Sequence, residues 1–321
     1  ENATRIPNPS TDLTLNHLHR VSFRGKENPE VFGFAFDHRK QLFELATKYG
    51  VDSNKINKIK NLFIKSTQKA IEKSNIPEKN IGVLIDDTYG EDALNSIAEK
   101  SWWIGRPVEL PSSRPLKFEG VQSIGSKIQS WPLNHTVKCL CFYHPDDSDD
   151  LKNKQEQKIK ELYFACLQSG HKLLLEVIPP LEFENDEDTI PKILQRFYDL
   201  EIKPDWWKLP SMKDNSWTQV SSIINTNDPH CQGILLLGLS ASIDTVISSF
   251  AVAAKYSICR GFTVGRTIFY EPAELWMQEK INDDELVDYV SKNYGYMIMN
   301  FIFPGSGYAA KAFVEKKKEK K

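Results

Sequence analysis

The sequence predicts an α/β fold, a single (β/α)8 barrel of the TIM type with an N-terminal linker segment. Three observations carry this expectation. Eight short runs rich in β-branched and aromatic residues alternate with longer stretches of helical period, the pattern of βα units around a parallel sheet. A charged residue stands within or just after almost every run, although strands buried on both faces should read as apolar throughout. The chain of 321 residues, 40% of them hydrophobic, is long enough to bury such a core as one domain.

In order, the first run (31–37) is apolar until Asp37, followed by His38 and Arg39. The second (81–86) ends in Asp86 and Asp87, and the third (104–110) carries Arg106 and Glu109. The fourth (136–143) carries Lys138 and leads into His144, and the fifth (172–178) places Glu176 after three leucines. The sixth (205–209) holds a tandem Trp206-Trp207 before Lys208. The seventh (233–237) opens into Gly238-Leu239, and the eighth (261–264) into Gly265-Arg266. Between them, 150–169 spaces Leu151, Ile159, Leu162, Tyr163 and Cys166 at near-helical intervals, and 242–255 opens on Ser242, a residue suited to an N-cap. No Gly-x-Gly-x-x-Gly turn follows the first run, which favours a closed barrel over an open doubly wound sheet. Residues 1–25, polar and broken by Pro7, Asn8 and Pro9, read as a linker or docking segment. The barrel is expected over 26–310, and 311–321 reads as a charged, solvated tail.

Charge excludes several partners. Lys and Arg total 41 against 43 for Asp and Glu, so no basic field exists to hold nucleic acid or an anionic membrane. No apolar run approaches the ~20 residues of a bilayer span, and no signal-peptide pattern opens the chain, so a cytoplasmic protein is expected. The five cysteines read as reduced packing residues. Cys139 and Cys141 would share one strand face, with no further pair to complete a metal site. A small-molecule partner is expected, with no cofactor and no metal, and a homo-oligomer is compatible with all of this.

Barrel active sites lie at the C-terminal ends of the strands, where the charged residues would converge. Burying a lysine ammonium costs several kcal/mol unless it is paired. For Lys138 or Lys208 alone, a structural salt bridge to Glu176 is an adequate account. Together the three form a set suited to iminium chemistry: a lysine that attacks a ketone must be neutral, and desolvation beside a second cation favours that state. Glu176 would relay protons, and Asp37 would take a substrate hydroxyl proton as a C–C bond breaks. Gly238 and Leu239 after the seventh run, with Gly265 and Arg266 after the eighth, occupy the positions where barrels often bind phosphate.

The motifs Phe34-Ala-Phe-Asp-His-Arg39, Gly82-Val-Leu-Ile-Asp86, Arg106-Pro-Val-Glu-Leu110, Ser113-Arg-Pro-Leu116, Tyr143-His-Pro-Asp-Asp147, Lys203-Pro-Asp-Trp-Trp-Lys208 and Val264-Gly-Arg-Thr267 run in order over about residues 31–270. In them the chain resembles the 2-deoxy-5-keto-D-gluconate-6-phosphate aldolase domain of myo-inositol catabolism, often fused behind a sugar kinase. It is more distantly similar to class I tagatose-bisphosphate aldolases. The resemblance implies a Schiff base on Lys208, Lys138 as second lysine, Glu176 as acid/base, Asp37 as proton acceptor and Arg266 on the phosphate. The implied reaction releases dihydroxyacetone phosphate and malonate semialdehyde. The segment Leu15-Asn-His-Leu-His-Arg20 looks like the join to an upstream kinase. Arg39, Arg106 and Arg114 are the candidates to meet the substrate carboxylate, with Arg39 and Arg114 favoured because they lie just beyond strand ends and Arg106 open to a structural role; His38 and His144 are among the binding residues. Ser112, Pro210 and Ser240 depart from the family pattern, at loop positions that bear on substrate fit. Two alternatives stand beside this reading: a metal-dependent sugar-phosphate aldolase or isomerase drawing on Asp37, Asp86, Glu109, His144 and Glu176, and a non-catalytic sugar-phosphate-binding module attached to a kinase.

Overall fold

The computed structural model describes residues 12–22, 30–74, 76–120 and 123–305. The strands are β1 (Val31–Ala35), β2 (Ile81–Leu84), β3 (Trp103–Pro107), β4 (His135–Phe142), β5 (Lys172–Ile178), β6 (Trp206–Leu209), β7 (Gly233–Leu236) and β8 (Cys259–Val264). Each pairs in parallel with the next, and β8 returns to β1 to close a (β/α)8 barrel. All eight expected runs form strands. The main differences lie at C-terminal ends, where Asp37, Asp86 and Glu109 have left the ladder. Asp37 and Glu109 line the barrel mouth, whereas Asp86 caps the helix that follows it by accepting from Tyr89 N and pairs with Lys60.

The helices are α1 (Leu13–Ser22), α2 (Arg39–Lys48), α3 (Asn54–Ser74), α4 (Asp87–Ser96), α5 (Ile124–Gln129), α6 (Asp149–Ser169), α7 (Thr189–Asp199), α8 (Asp214–Asn227), α9 (Ile243–Ala253), α10 (Arg266–Met277) and α11 (Asp283–Ile302). Their ends follow local chemistry. Ser148 and Ser242 cap α6 and α9 by accepting from Leu151 N and Thr245 N, and Gly170 stops α6 in the left-handed region at φ 81°. Asn282 and Glu285 form a reciprocal capping box on α11.

Strand side chains alternate between two environments. Outward, Phe34 packs on Phe63 and Phe269, and Phe262 on Phe250. Inward, Val31, Ala35, Leu84, Trp103, Leu174, Trp206 and Leu235 form a separate apolar plug. The seam between β1 and β8 depends on Gly261, whose φ is 143° and where a Cβ would stand 2.0 Å from the Val31 carbonyl oxygen. A larger residue there would part the first strand from the last.

The opening segment, expected without sustained period, contains α1. From it His17 Nε2 lies 2.9 Å from Asp228, and Arg20 donates to Asp205 at 2.7 Å. Residues 1–11, 23–25 and the tail at 311–321 lie outside the described residues. No described helix is long and apolar enough to cross a membrane. Cys139, Cys141 and Cys166 are buried free thiols, and burial pushes Cys166 up to about 12.

Candidate active site

Period-two alternation places the polar layer directly above the apolar plug. Two residues beyond inward Ala35, Leu174 and Trp206 come Asp37, Glu176 and Lys208. Glu176 and Lys208 are register partners across β5 and β6, and Lys138 is in register with Leu174 across β4 and β5. Neighbouring strands thus deliver two lysines and a glutamate to one place. They line a cavity of about 990 Å³ at the mouth, with Asp37, His38, Arg39, Glu109, Leu239 and Arg266 also in its wall.

The two lysines have different surroundings. Lys138 Nζ is 2.7 Å from Glu109 Oε1, 3.0 Å from Glu176 Oε2 and 3.2 Å from Asp37 Oδ2. Lys208 Nζ has one carboxylate partner, Glu176 Oε1 at 3.1 Å. Burial works against charge on Lys138, but Asp37, Glu109 and Glu176 hold it well above the usual lysine range. The same contacts act in reverse on the acids. Burial alone would raise the carboxyls of Asp37 and Glu176, yet Lys138 with its cationic neighbours pulls both below the ordinary carboxylate range. His38 is pushed down to about 3 by burial, with Arg266, Lys208 and Lys138 overriding the pull of Asp37. It is therefore a neutral imidazole at physiological pH.

From the sequence Glu109 reads only as a metal-ligand alternative, yet it is the nearest partner of Lys138. The signal was a lone acid in the apolar run Val108-Glu109-Leu110. Asp37, Glu109 and Glu176 converge on the Lys138 ammonium. Among the described residues no group of three His, Cys, Asp or Glu has the arrangement to hold a metal ion. Asp86, another of the proposed metal ligands, instead pairs with Lys60 of α3, and both are fully buried.

At the other side of the mouth, Arg266 begins α10, and the turn after β7 passes through Leu239 (φ 47°) and Ser240 (φ 61°). Gly265 lies against β1: a Cβ there would be 2.2 Å from Ala35 O and 2.6 Å from the His38 ring. The described residues offer Arg266 no ion-pair partner, so its charge is available to a ligand. Ser112, one of the departures from the family pattern, lines the cavity with φ 62°, a conformation that favours glycine.

Three expected binding residues are placed differently. Arg39 borders the cavity, but its guanidinium donates to Asp37 O at 3.1 Å and Glu109 O at 2.7 Å and pairs with Glu119 at 2.9 Å, tying the β1 and β3 ends together. Arg114 is outside the cavity wall, held by Asp147 and Glu182 and lying over the Phe183 ring. His144 stacks flat on that same ring at 4.3 Å, and its backbone N–H donates to Asp147. The Tyr143-His-Pro-Asp-Asp147 motif thus braces the loop after β5 rather than facing the cavity. Arg106, also outside the cavity wall, is bonded to Asp87 and stacked over Trp131 at 4.1 Å.

Fold and site define a (β/α)8 barrel with a lysine–carboxylate cluster at the C-terminal mouth. The chain belongs to the family described as "Uncharacterized protein conserved in bacteria (DUF2090)", whose profile matches residues 1–302. No curated protein matches the sequence. Among solved structures it is similar to a fructose-bisphosphate aldolase from Plasmodium falciparum, in complex with TRAP and a small-molecule inhibitor. The TM-score is 0.63 at 10% identity, covering 92% of this chain and 95% of that one. At that identity the likeness is one of fold, and function has to be argued from the site.

Proposed function

We propose that the protein is a Schiff-base aldolase acting on a phosphorylated keto sugar, with Lys208 as the nucleophile. The observation that carries this reading is the asymmetry of the two lysines. Lys138 is clamped by three carboxylates as a fixed cation, whereas Lys208 faces the cavity with one carboxylate partner. The barrel fold is one that a fructose-bisphosphate aldolase also has.

In the proposed reaction the neutral amine of Lys208 adds to the substrate ketone to give a carbinolamine. Glu176, which touches both lysines, moves the proton that lets water leave, forming the iminium. Asp37 accepts the proton of the hydroxyl on the β-carbon as the C–C bond breaks. The bond electrons pass into the iminium, giving an enamine and a free aldehyde. Protonation and hydrolysis of the enamine release a ketone phosphate and regenerate Lys208. Lys138 offsets negative charge on the oxygens throughout, and Arg266 holds the phosphate. The motif resemblance names 2-deoxy-5-keto-D-gluconate 6-phosphate as the first substrate to try, with dihydroxyacetone phosphate and malonate semialdehyde as products.

The test is reductive trapping. Borohydride added with the ketone phosphate should fix one adduct, on the peptide containing Lys208, and Lys208→Ala should remove both adduct and turnover while keeping the wild-type circular dichroism. An adduct on Lys138, or turnover surviving in Lys208→Ala, would overturn the assignment.

A further inference from the structure

Glu109 is 5% exposed, lines the cavity and grips Lys138 through Oε1, yet its Oε2 is buried with no hydrogen-bond partner among the described residues. A buried polar atom left unpaired is costly, and such atoms in a native fold call for an explanation. Strand order around the barrel supplies one. Arg266 follows β8 and Lys208 lies on β6, so a ketone phosphate bound by both runs from the β8 side toward the barrel centre. Its carbonyl carbon then sits at Lys208. The carbon on the far side of that carbonyl from the phosphate lies toward β3 and β4, across the barrel from β8, where Glu109 and Lys138 stand.

We infer that Glu109 is a specificity residue for an α-hydroxy ketone phosphate, its free Oε2 accepting a hydrogen bond from the hydroxyl on the carbon next to the ketone, on the side away from the phosphate. This rests on the Schiff-base reading. The other two acids of the cluster are placed for other work. Both oxygens of Glu176 are taken by the lysines, and Asp37 has Lys138 on Oδ2 with the His38 ring 3.7 Å from Oδ1. Glu109 alone of the three presents a buried oxygen with no hydrogen-bond partner among the described residues. A ketone lacking the hydroxyl leaves that oxygen unpaired, and sites built around a hydrogen-bonding group reject analogues that lack it.

The probes are dihydroxyacetone phosphate and hydroxyacetone phosphate, which differ only in that hydroxyl. The readout is the half-saturating concentration of each for borohydride-trapped adduct on Lys208. The wild type should favour the hydroxylated ketone by about 10- to 100-fold, the scale of a hydrogen bond to a charged group. Glu109→Ala should bring the two ketones to within a few-fold of each other, and Glu109→Gln, whose amide oxygen still accepts, should keep part of the preference. A role confined to holding Lys138 would weaken both ketones in proportion and leave their ratio unchanged, which would overturn the inference. Equal trapping of the two ketones by the wild type would overturn it without any variant, so the inference stays testable if Glu109→Ala does not fold. If neither ketone is trapped by folded wild type, the Schiff-base reading itself fails, and this inference with it.

Discussion

Lys138 and Lys208 stand two strands apart in the same layer and share Glu176, yet the three acids on one and the single acid on the other separate a fixed cation from the proposed nucleophile. His38 shows a different consequence of the same crowding. Burial and nearby cations hold its folded pKa at about 3 against an ordinary value of 6.5. Between those values the unfolded chain binds a proton that the native protein does not. Stability therefore rises with pH across the window, by up to about 1.4 kcal/mol per pH unit. His38→Gln should flatten the loss of stability between pH 7 and pH 5, measured as the shift in urea midpoint. His135, lowered to about 4, and His171, also lowered, act in the same direction, so the variant removes only part of the slope. Asp37 and Glu176, whose carboxyls are depressed, contribute stability that is lost only at lower pH, as the pH falls through their folded values. An unchanged slope between pH 7 and 5 in His38→Gln would show that the imidazole titrates freely in the native state.

At the scale of elements, the N-terminal helix and the strand floor form a unit separate from the chemistry. Arg20 of α1 donates to the His171 carbonyl at 2.9 Å and to Asp205 at 2.7 Å, while Asp205 also accepts from Leu173 N–H at the start of β5. The Asp205 side chain is fully buried. Arg20→Ala leaves that charge without its arginine and should cost about 3 kcal/mol in denaturant stability. Trapping yield per folded molecule should not change, because the site lies at the opposite ends of the strands. A variant as stable as wild type would mean that α1 does not clamp the floor. This contact was not legible in the sequence. Arg20 lies in a polar segment without sustained period, and its partners are 151 and 185 residues away. The strands were legible because each apolar run has the length and β-branched composition of a buried strand and closes in a turn. Asp37, Lys138, Glu176 and Lys208 were legible because a charge inside such a run has few uses. Lys60 was not: it belongs to a lysine-rich helix that reads as a solvated face, and its burial against Asp86 and the Phe36 carbonyl arises only when α3 docks on the barrel. The contacts of Arg39, Arg114 and His144 were not legible either, because position after a strand fixes which rim a residue is on, not where its side chain points.

For the molecule as a whole, the proposed anion end of the cavity, at Arg266, coincides with the seam where the barrel closes. β8 pairs with β1 from Val31 opposite Gly261 to Phe34 opposite Val264, and Gly265 and Arg266 follow at once, with no room for a Cβ between Gly265 and Ala35 O. An anion gripped by Arg266 and the turn through Leu239 and Ser240 would therefore tie the last strand to β7 and keep it against the first. A ligand that binds only the folded state stabilises it by mass action, about 2.7 kcal/mol at a hundredfold excess over Kd. Inorganic phosphate should raise Tm by several degrees relative to sodium chloride of equal ionic strength, which controls for screening. Arg266→Ala should lose most of that rise and should raise KM for the phosphorylated substrate far more than for a dephospho analogue, because a charge-assisted contact to phosphate contributes about 1.5–3 kcal/mol. Both readouts are needed. A lowered starting Tm in the variant reports only damage to the seam, whereas loss of the phosphate-dependent increment reports the anion contact itself. If Arg266→Ala keeps the full increment, the phosphate binds elsewhere, and the orientation assigned to the substrate across the mouth, from Arg266 through Lys208 toward Glu109, has to be reversed.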